Sequence, residues 1–317
     1  MAAALTGYGS PGKMHTIRIG YIAGLFCQCH CVTVAGMADL KGRVCRPFVA
    51  FVAALLAVVC QGAAPSPADE FRARYRVSLI GLPIGEVAAA GTLGSSTYRV
   101  NLNAKLTGIA AVVSNLKLAL ASTGSVRRNG LAPSTYATTS ANTQGVRTVR
   151  MSLDAGNVKS VEIVPPFEDK PGRIPVSEVH KRNIVDPTSA LIMPVPESEP
   201  LVGPAACNRI IPVFDGYVRF NITLHYVGMR QISIAGYSGA VSVCGARYTP
   251  IAGHSRESRS TKFMAENKDI EAWLAPIPRA HVVVPLHVQL MTLAGNAEID
   301  AEEFSVEPSG VAAASPH

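Results

Sequence analysis

Charge is scarce in this 317-residue chain: only 16% of residues are Asp, Glu, Lys or Arg, against 48% hydrophobic. That balance excludes a disordered chain and a coiled coil, both of which need far more charge. The 27 glycines follow no three-residue period, so the chain is not collagen-like. No βαβ rhythm is present, and neither a dinucleotide-binding nor a phosphate-loop glycine pattern occurs. There is no Gly-x-Ser-x-Gly elbow and no His-Glu-x-x-His pair. Ser238, in Gly236-Tyr237-Ser238-Gly239, lies between two strand-like runs, whereas a nucleophile elbow needs a strand-to-helix turn.

The net charge of +7 suggests a polyanion partner, but its distribution removes the suggestion. From Asp69 onward there are 24 Lys+Arg against 21 Asp+Glu, a balance of +3. The first 68 residues hold the remainder, 29 − 24 = 5 basic against 22 − 21 = 1 acidic. Nucleic-acid binding is therefore not expected.

Those first residues read as an export signal. Pro47–Cys60 is a fourteen-residue run with no charge. A bilayer-spanning helix needs about 20 such residues, and a signal-peptide core about 7–15. Lys41, Arg43 and Arg46 precede it, and small residues follow at Gly62–Ala64 and Ala68. The expected organisation is a mis-assigned leader over 1–36, a signal peptide over 37–68, and no stable membrane span once the signal is cleaved. Cys60 is disfavoured as a lipidation site because the branched Val59 precedes it. Cys27, Cys29, His30 and Cys31 have metal-ligand chemistry, but no second pair closes a tetrahedron, so no metal and no cofactor is expected.

Five of the seven cysteines lie at or before residue 60, which leaves Cys207 and Cys244 in the exported part. In an oxidising compartment two cysteines read as a disulfide, the alternative being two separate buried thiols.

Phe71–Leu79 alternates strictly, with Phe71, Ala73, Tyr75, Val77 and Leu79 opposed to Arg72, Arg74, Arg76 and Ser78. Tyr98–Leu106 does the same, and weaker alternation recurs at Val149–Leu153, Val218–Leu224, Gln231–Ile234, Ala240–Ala246 and His281–Met291. A period of two with one polar face means half-buried antiparallel strands. Turn signals fall at Leu82-Pro83, Gly94–Ser96, Asn129-Gly130, Asp154–Asn157 and Gly236–Gly239. Helix is limited to two short segments. Gly108–Ser114 is expected to tuck Ile109, Val112 and Val113 against the sheet, and Asp186-Pro187-Thr188-Ser189 opens a segment through Met193.

The fold class expected is mainly β: a curved antiparallel sheet forming a barrel or half-barrel, with one or two short helices. Nine prolines between 165 and 204 exclude a central strand there. That stretch reads as a surface excursion joining halves 69–164 and 205–306 of a single domain, followed by a loose tail over 307–317.

Candidate site residues are few. Asp215 and Arg219 lie four apart around a turn, as an anion clamp would require. Their structural reading is a hairpin in which Asp215 accepts backbone N–H bonds and Arg219 faces solvent. His180, His225, His254, His281 and His287 are scattered without ligand spacing. An acid–base pair assembled from Asp186, Asp215, Arg219, His254 and Glu271 is the enzyme alternative, a periplasmic hydrolase served by the C-terminal half.

The ordered series Asp186–Leu191, Cys207, Pro212–Gly216, Arg219-Phe220, Tyr237–Gly239, Val243-Cys244, Arg247-Tyr248, Pro250–His254, Glu271–Pro276, Val284-Pro285 and Gly295 resembles an exported proteobacterial family known as domain of unknown function 3108. The resemblance spans Phe71–Val306 and implies a periplasmic antiparallel β protein similar to the half-barrel lipoprotein carriers. It implies no catalytic residue, and it supports pairing Cys207 with Cys244. The function expected is non-catalytic: an envelope protein binding a hydrophobic ligand such as a lipid, a lipoprotein, or another envelope protein.

Overall fold

The computed structural model describes residues 68–127, 130–168 and 171–308. The leader, the signal-like run, part of the Asn129-Gly130 turn signal and the tail beyond residue 308 lie outside them. Among the described residues, fourteen strands form one antiparallel sheet. They are β1 (Ala68–Leu79), β2 (Leu82–Gly94), β3 (Thr97–Leu106), β4 (Lys117–Arg127), β5 (Gly130–Asn142), β6 (Gly145–Asp154) and β7 (Asn157–Val164), then β8 (Met193–Pro194), β9 (Arg209–Phe214), β10 (Arg219–Ile234), β11 (Tyr237–Ala252), β12 (Ile270–Ile277), β13 (Val282–Thr292) and β14 (Gly295–Pro308). Three short helices, α1 (Gly108–Val113), α2 (Pro204–Cys207) and α3 (Arg259–Glu266), punctuate the connections.

The strand order is β7-β6-β5-β4-β3-β2-β1-β14-β13-β12-β11-β10-β9, with β8 alongside β13. Two meanders therefore meet where β1 pairs with β14, and both halves of the chain belong to the same sheet. The alternation in Phe71–Leu79 and Tyr98–Leu106 became β1 and β3, with Phe71, Ala73, Tyr98 and Val100 buried. Leu82-Pro83 is the first step of β2, and the turn falls two residues earlier, at Ile80-Gly81, where both residues have positive φ. Gly91 of β2 lies beneath a large ring, where a Cβ would stand 2.5 Å from Phe71 Cε1. Sequence periodicity missed β2 because its small residues carry little hydrophobic contrast.

The sheet curls until its halves face each other. One cluster joins Phe71, Leu93, Tyr98 and Val100 of β1–β3 to Val241, Ile277, Val282 and Leu286 of β11–β13 and Phe304 of β14. The tip of the β10–β11 hairpin returns to β14, where Phe304 N–H donates to Ala235 C=O at 2.9 Å. The edge strands β7 and β9 do not pair with each other, so the barrel is open along one seam.

Among its described residues, the proline-rich stretch runs over the surface at 165–168, 171–183 and 196–200, but its middle does not. Ile184, Asp186, Thr188, Ser189, Ile192, Met193 and Val195 are all buried. Ile184 N–H donates to Gly156 C=O in the β6–β7 turn, Val185 N–H donates to Pro212 C=O, and Phe214 N–H donates to Val185 C=O. The segment thus staples the open seam, satisfying backbone groups on both edges. It then crosses the interior and forms β8 beside Val282 and Val283, on the stretch of β13 that β14 leaves unpaired. Ile192 packs into the inner cluster, whereas Met193 and Val195 join a second cluster with Leu274, Val283 and the buried Cys207–Cys244 disulfide, whose Cα atoms are 5.5 Å apart. Proline was compatible with burial because this strap needs few ladder bonds, and β8 is only two residues long.

Candidate functional site

Call the end where β1 finishes the upper end. The inner face changes character along the strands. On β1, Phe71 and Ala73 are buried while Tyr75 and Val77 are half-buried. On β3, Tyr98 and Val100 are buried, then Leu102, Ala104 and Leu106 are half-buried. The strap plugs the lower half of the half-barrel and stops short of the upper half. Inner-face side chains are thus buried where the strap lies and half-buried toward the upper end.

The strap meets the inner face in a buried polar network. Asp186 Oδ1 accepts from Thr188 N–H and Ser189 N–H, both at 3.0 Å. Its Oδ2 accepts from Ser122 Oγ at 2.9 Å and Ser189 Oγ at 2.5 Å. Tyr98 Oη meets Ser189 Oγ at 2.6 Å. Burial raises the pKa of Asp186, and the hydrogen bonds from Ser189, Ser122 and Thr188 oppose that rise. Burial pushes the Tyr98 hydroxyl up to about 12. The Asp-Pro-Thr-Ser motif was expected to open a helical segment, but it gives only a 3-10 turn over Ser189–Leu191. The Asp186 carboxylate faces Ser122 of β4, so its capping bonds serve the strap-to-sheet junction.

Asp215 lies in the β9–β10 turn, where its Oδ1 accepts from Tyr217 N–H at 2.8 Å and Val218 N–H at 2.6 Å. Burial raises its pKa against those two bonds. Arg219 is half-buried and donates to Phe220 C=O and to Asn221 Oδ1, the latter at 2.7 Å. Burial lowers its pKa. His254 keeps an Nδ1 with no hydrogen-bond partner, and burial lowers its pKa. Glu271 accepts from Trp273 Nε1–H at 2.6 Å. Among the described residues no hydrogen bond or ion pair joins any two of Asp186, Asp215, Arg219, His254 and Glu271.

Two clusters went unseen in the sequence. Arg147 stacks on Phe167 at 4.2 Å, Phe167 on Tyr217 at 4.2 Å, and Arg173 on Tyr217 at 3.9 Å, a ladder of alternating origin across the seam. The second centres on Trp273, held between Arg230 at 4.4 Å and the His287 ring at 4.2 Å, with His287 Nδ1 2.6 Å from Asp300 Oδ1. Both assemble residues distant in sequence, and no local pattern announces either.

Sequence placed Ile109, Val112 and Val113 against the sheet. They are instead 85%, 86% and 80% exposed, and α1 buries none of its residues. Its backbone explains why. Gly108 adopts φ +58, and Thr107 N–H is held by Ile84 C=O, so the helix projects beyond the strand ends. The opposite face holds a groove of about 500 Å³ on the outer surface of β1–β5, lined by Arg74, Glu86, Asn103, Lys105, Lys117 and Thr139 among others. No helix among the described residues is long and apolar enough to cross a membrane. No group of three or more His, Cys, Asp or Glu among them is placed to hold a metal ion.

A family model described as "Protein of unknown function (DUF3108)" matches residues 71–302. No curated protein matches. Among solved structures, the chain is similar to a crystal structure of a beta-barrel-like protein of domain of unknown function DUF1849 from Brucella abortus, at 11% identity. That similarity covers 75% of this chain and 98% of the other, with a TM-score of 0.40.

Proposed function

The chain belongs to the DUF3108 family of proteins of unknown function, and we propose that it is an exported, non-catalytic envelope protein that holds a hydrophobic ligand in the upper half of its half-barrel. The observation that carries this reading is the gradient on the inner face, buried at Phe71, Ala73, Tyr98 and Val100 but only half-buried at Val77, Leu102 and Leu106. Aliphatic surface left open on the concave side of a curved sheet is what an acyl chain would cover, at roughly 0.8 kcal/mol per buried CH₂. The strap lies below it, so a bound chain enters from the upper end.

Export is supported by two features. Pro47–Cys60 has signal-peptide proportions. The disulfide is the kind of crosslink that persists in an oxidising compartment such as the periplasm. The Asp186 carboxylate is already occupied by four hydrogen bonds, which suits a structural role better than proton transfer.

Native mass spectrometry with lipid extraction, on protein purified from its own periplasm, tests the reading. A stoichiometric acyl-chain species, lost in an Ala104→Trp variant that crowds this inner face, is the expected result. A folded protein without any lipid species would overturn it.

A further inference from the structure

Of the fourteen large hydrophobic residues exposed among the described ones, six gather on three neighbouring connections at the upper end of the sheet. In the order β4-β3-β2-β1-β14-β13, the upper connections are α1, the β1–β2 turn and the β13–β14 turn, side by side. They carry Ile109, Val112 and Val113 on α1, Leu82 and Ile80 at 68% and 67% exposure, and Leu293 at 57%. The described lower turns, Ser95-Ser96, Ala155-Gly156, Ala235-Gly236 and Pro278–His281, expose no large hydrophobic residue. Water selects the reverse of this at a loop tip, so the asymmetry marks a surface that meets an apolar phase.

We propose that this upper rim is a docking surface for an anionic lipid bilayer, with α1 as the element that enters the interface. Three observations favour a bilayer over a protein pocket. First, the side chains that protrude there, Ile80, Leu82, Ile109, Val112, Val113 and Leu293, carry no hydrogen-bonding group for a specific polar partner to read.

Second, several of its backbone amides are satisfied internally, although Thr107 makes no side-chain cap for α1. Ile80 N–H donates to Asn296 C=O, Thr107 N–H to Ile84 C=O, Leu106 N–H to Leu116 C=O and Ser114 N–H to Ala110 C=O. Unsatisfied amides are what bar most loops from lipid, and these amides have partners. Third, the charge at the foot of α1 is complementary to anionic headgroups. Lys105 is neutralised by Glu86 at 3.1 Å, whereas Lys117, just past the helix, has no ion-pair partner among the described residues. An aliphatic tip with a lysine beneath it is the arrangement by which interfacial helices sit in headgroups. This surface does not require the inner face to carry a ligand.

The test uses the full chain and vesicles of phosphatidylethanolamine and phosphatidylglycerol. Val112→Trp adds an indole at the rim, read against the single native Trp273, and Ser95→Trp adds one at the lower end. The expected result is a blue shift and quenching by brominated acyl chains for Val112→Trp only. Ile109→Ser/Val112→Ser/Val113→Ser should lower vesicle partitioning at least about tenfold, and Lys117→Glu by about fivefold or more on these anionic vesicles. Because Pro47–Cys60 is common to every variant, only differences between variants count. Circular dichroism should show the triple variant folded, since α1 buries no side chain. An indole at 112 that stays solvent-like with vesicles, or one that responds no more than the indole at 95, overturns the proposal and leaves the rim to a protein partner.

Discussion

Asp186 is the residue whose replacement separates a structural acid from a catalytic one. Its carboxylate is fully buried and accepts four hydrogen bonds, two from backbone amides and two from serine hydroxyls. Asp186→Ala leaves those donors without an acceptor at the point where the strap meets β4. At about 1–3 kcal/mol for each buried group left unsatisfied, and allowing for hydroxyls that rotate to Thr135 C=O or Tyr98, the expected loss is about 3–5 kcal/mol. For a domain of this size that lowers Tm by about 10 °C.

Asp186→Asn behaves differently. Its Oδ1 keeps both amide bonds, and its Nδ2–H groups donate to Ser122 and Ser189, whose hydroxyls turn to Thr135 C=O and Tyr98 Oη. The sign of the pH dependence follows from the direction of the shift. Burial raises the folded-state pKa of Asp186 above its unfolded value of about 4. The stability linked to this group is therefore fully present below about pH 4 and is lost as pH rises through the folded pKa. Wild type should lose stability relative to Asp186→Asn over that interval. Urea melts of both proteins from pH 4 to 8, followed by circular dichroism, measure the difference. Parallel stability curves, or an asparagine variant damaged as badly as the alanine variant, would refute the reasoning.

The disulfide closes a loop of sequence separation 37, so its removal should cost about 4 kcal/mol by loop entropy, read as the offset between oxidised and reduced urea melts. Gly216→Val should destabilise by about 2 kcal/mol or more, because the turn sits at φ +95 and a Cβ there would stand 2.5 Å from Val149 Cγ1; a thermal melt within 1 °C of wild type would contradict the seam packing. Tyr98→Phe removes one buried hydrogen bond to Ser189 and should cost about 1 kcal/mol in the same melts. Arg173→Ala removes bonds to Gly253 C=O and Tyr217 C=O at 3.0 Å together with a stacking contact, and hydrogen exchange should show faster opening at residues 171–174 and 215–218.

Much of the fold was legible because strict alternation needs no partner to be recognised. Phe71–Leu79 and Tyr98–Leu106 show their buried face in the sequence, and Asp215 shows its turn by the glycine that follows. Other elements were hidden for physical reasons. Gly91 of β2 makes sense only beneath Phe71, and α3 follows a polar Ser-Arg-Glu-Ser stretch whose cap at Ser258 is local but whose apolar content is slight. The proline content of 165–204 points to the surface because proline is excluded from ladders, and it hides the burial of 184–195. The strap satisfies its backbone through a few bonds to two edges and buries its side chains all the same. The same limit applies to the exposed aliphatic rim, which is defined by which neighbours are missing, and a sequence does not record missing neighbours.

By itself the sequence determined the antiparallel, half-buried strands, the balance of charge and the two cysteines of the domain, because each depends on residue type at short spacing. Only the tertiary structure decided that the strap lies inside, that Asp186 is held by Ser122 and Ser189, and that α1 projects from the sheet uncovered. Those outcomes depend on how far the sheet curls, and curl is a sum over every strand pair that no single segment encodes.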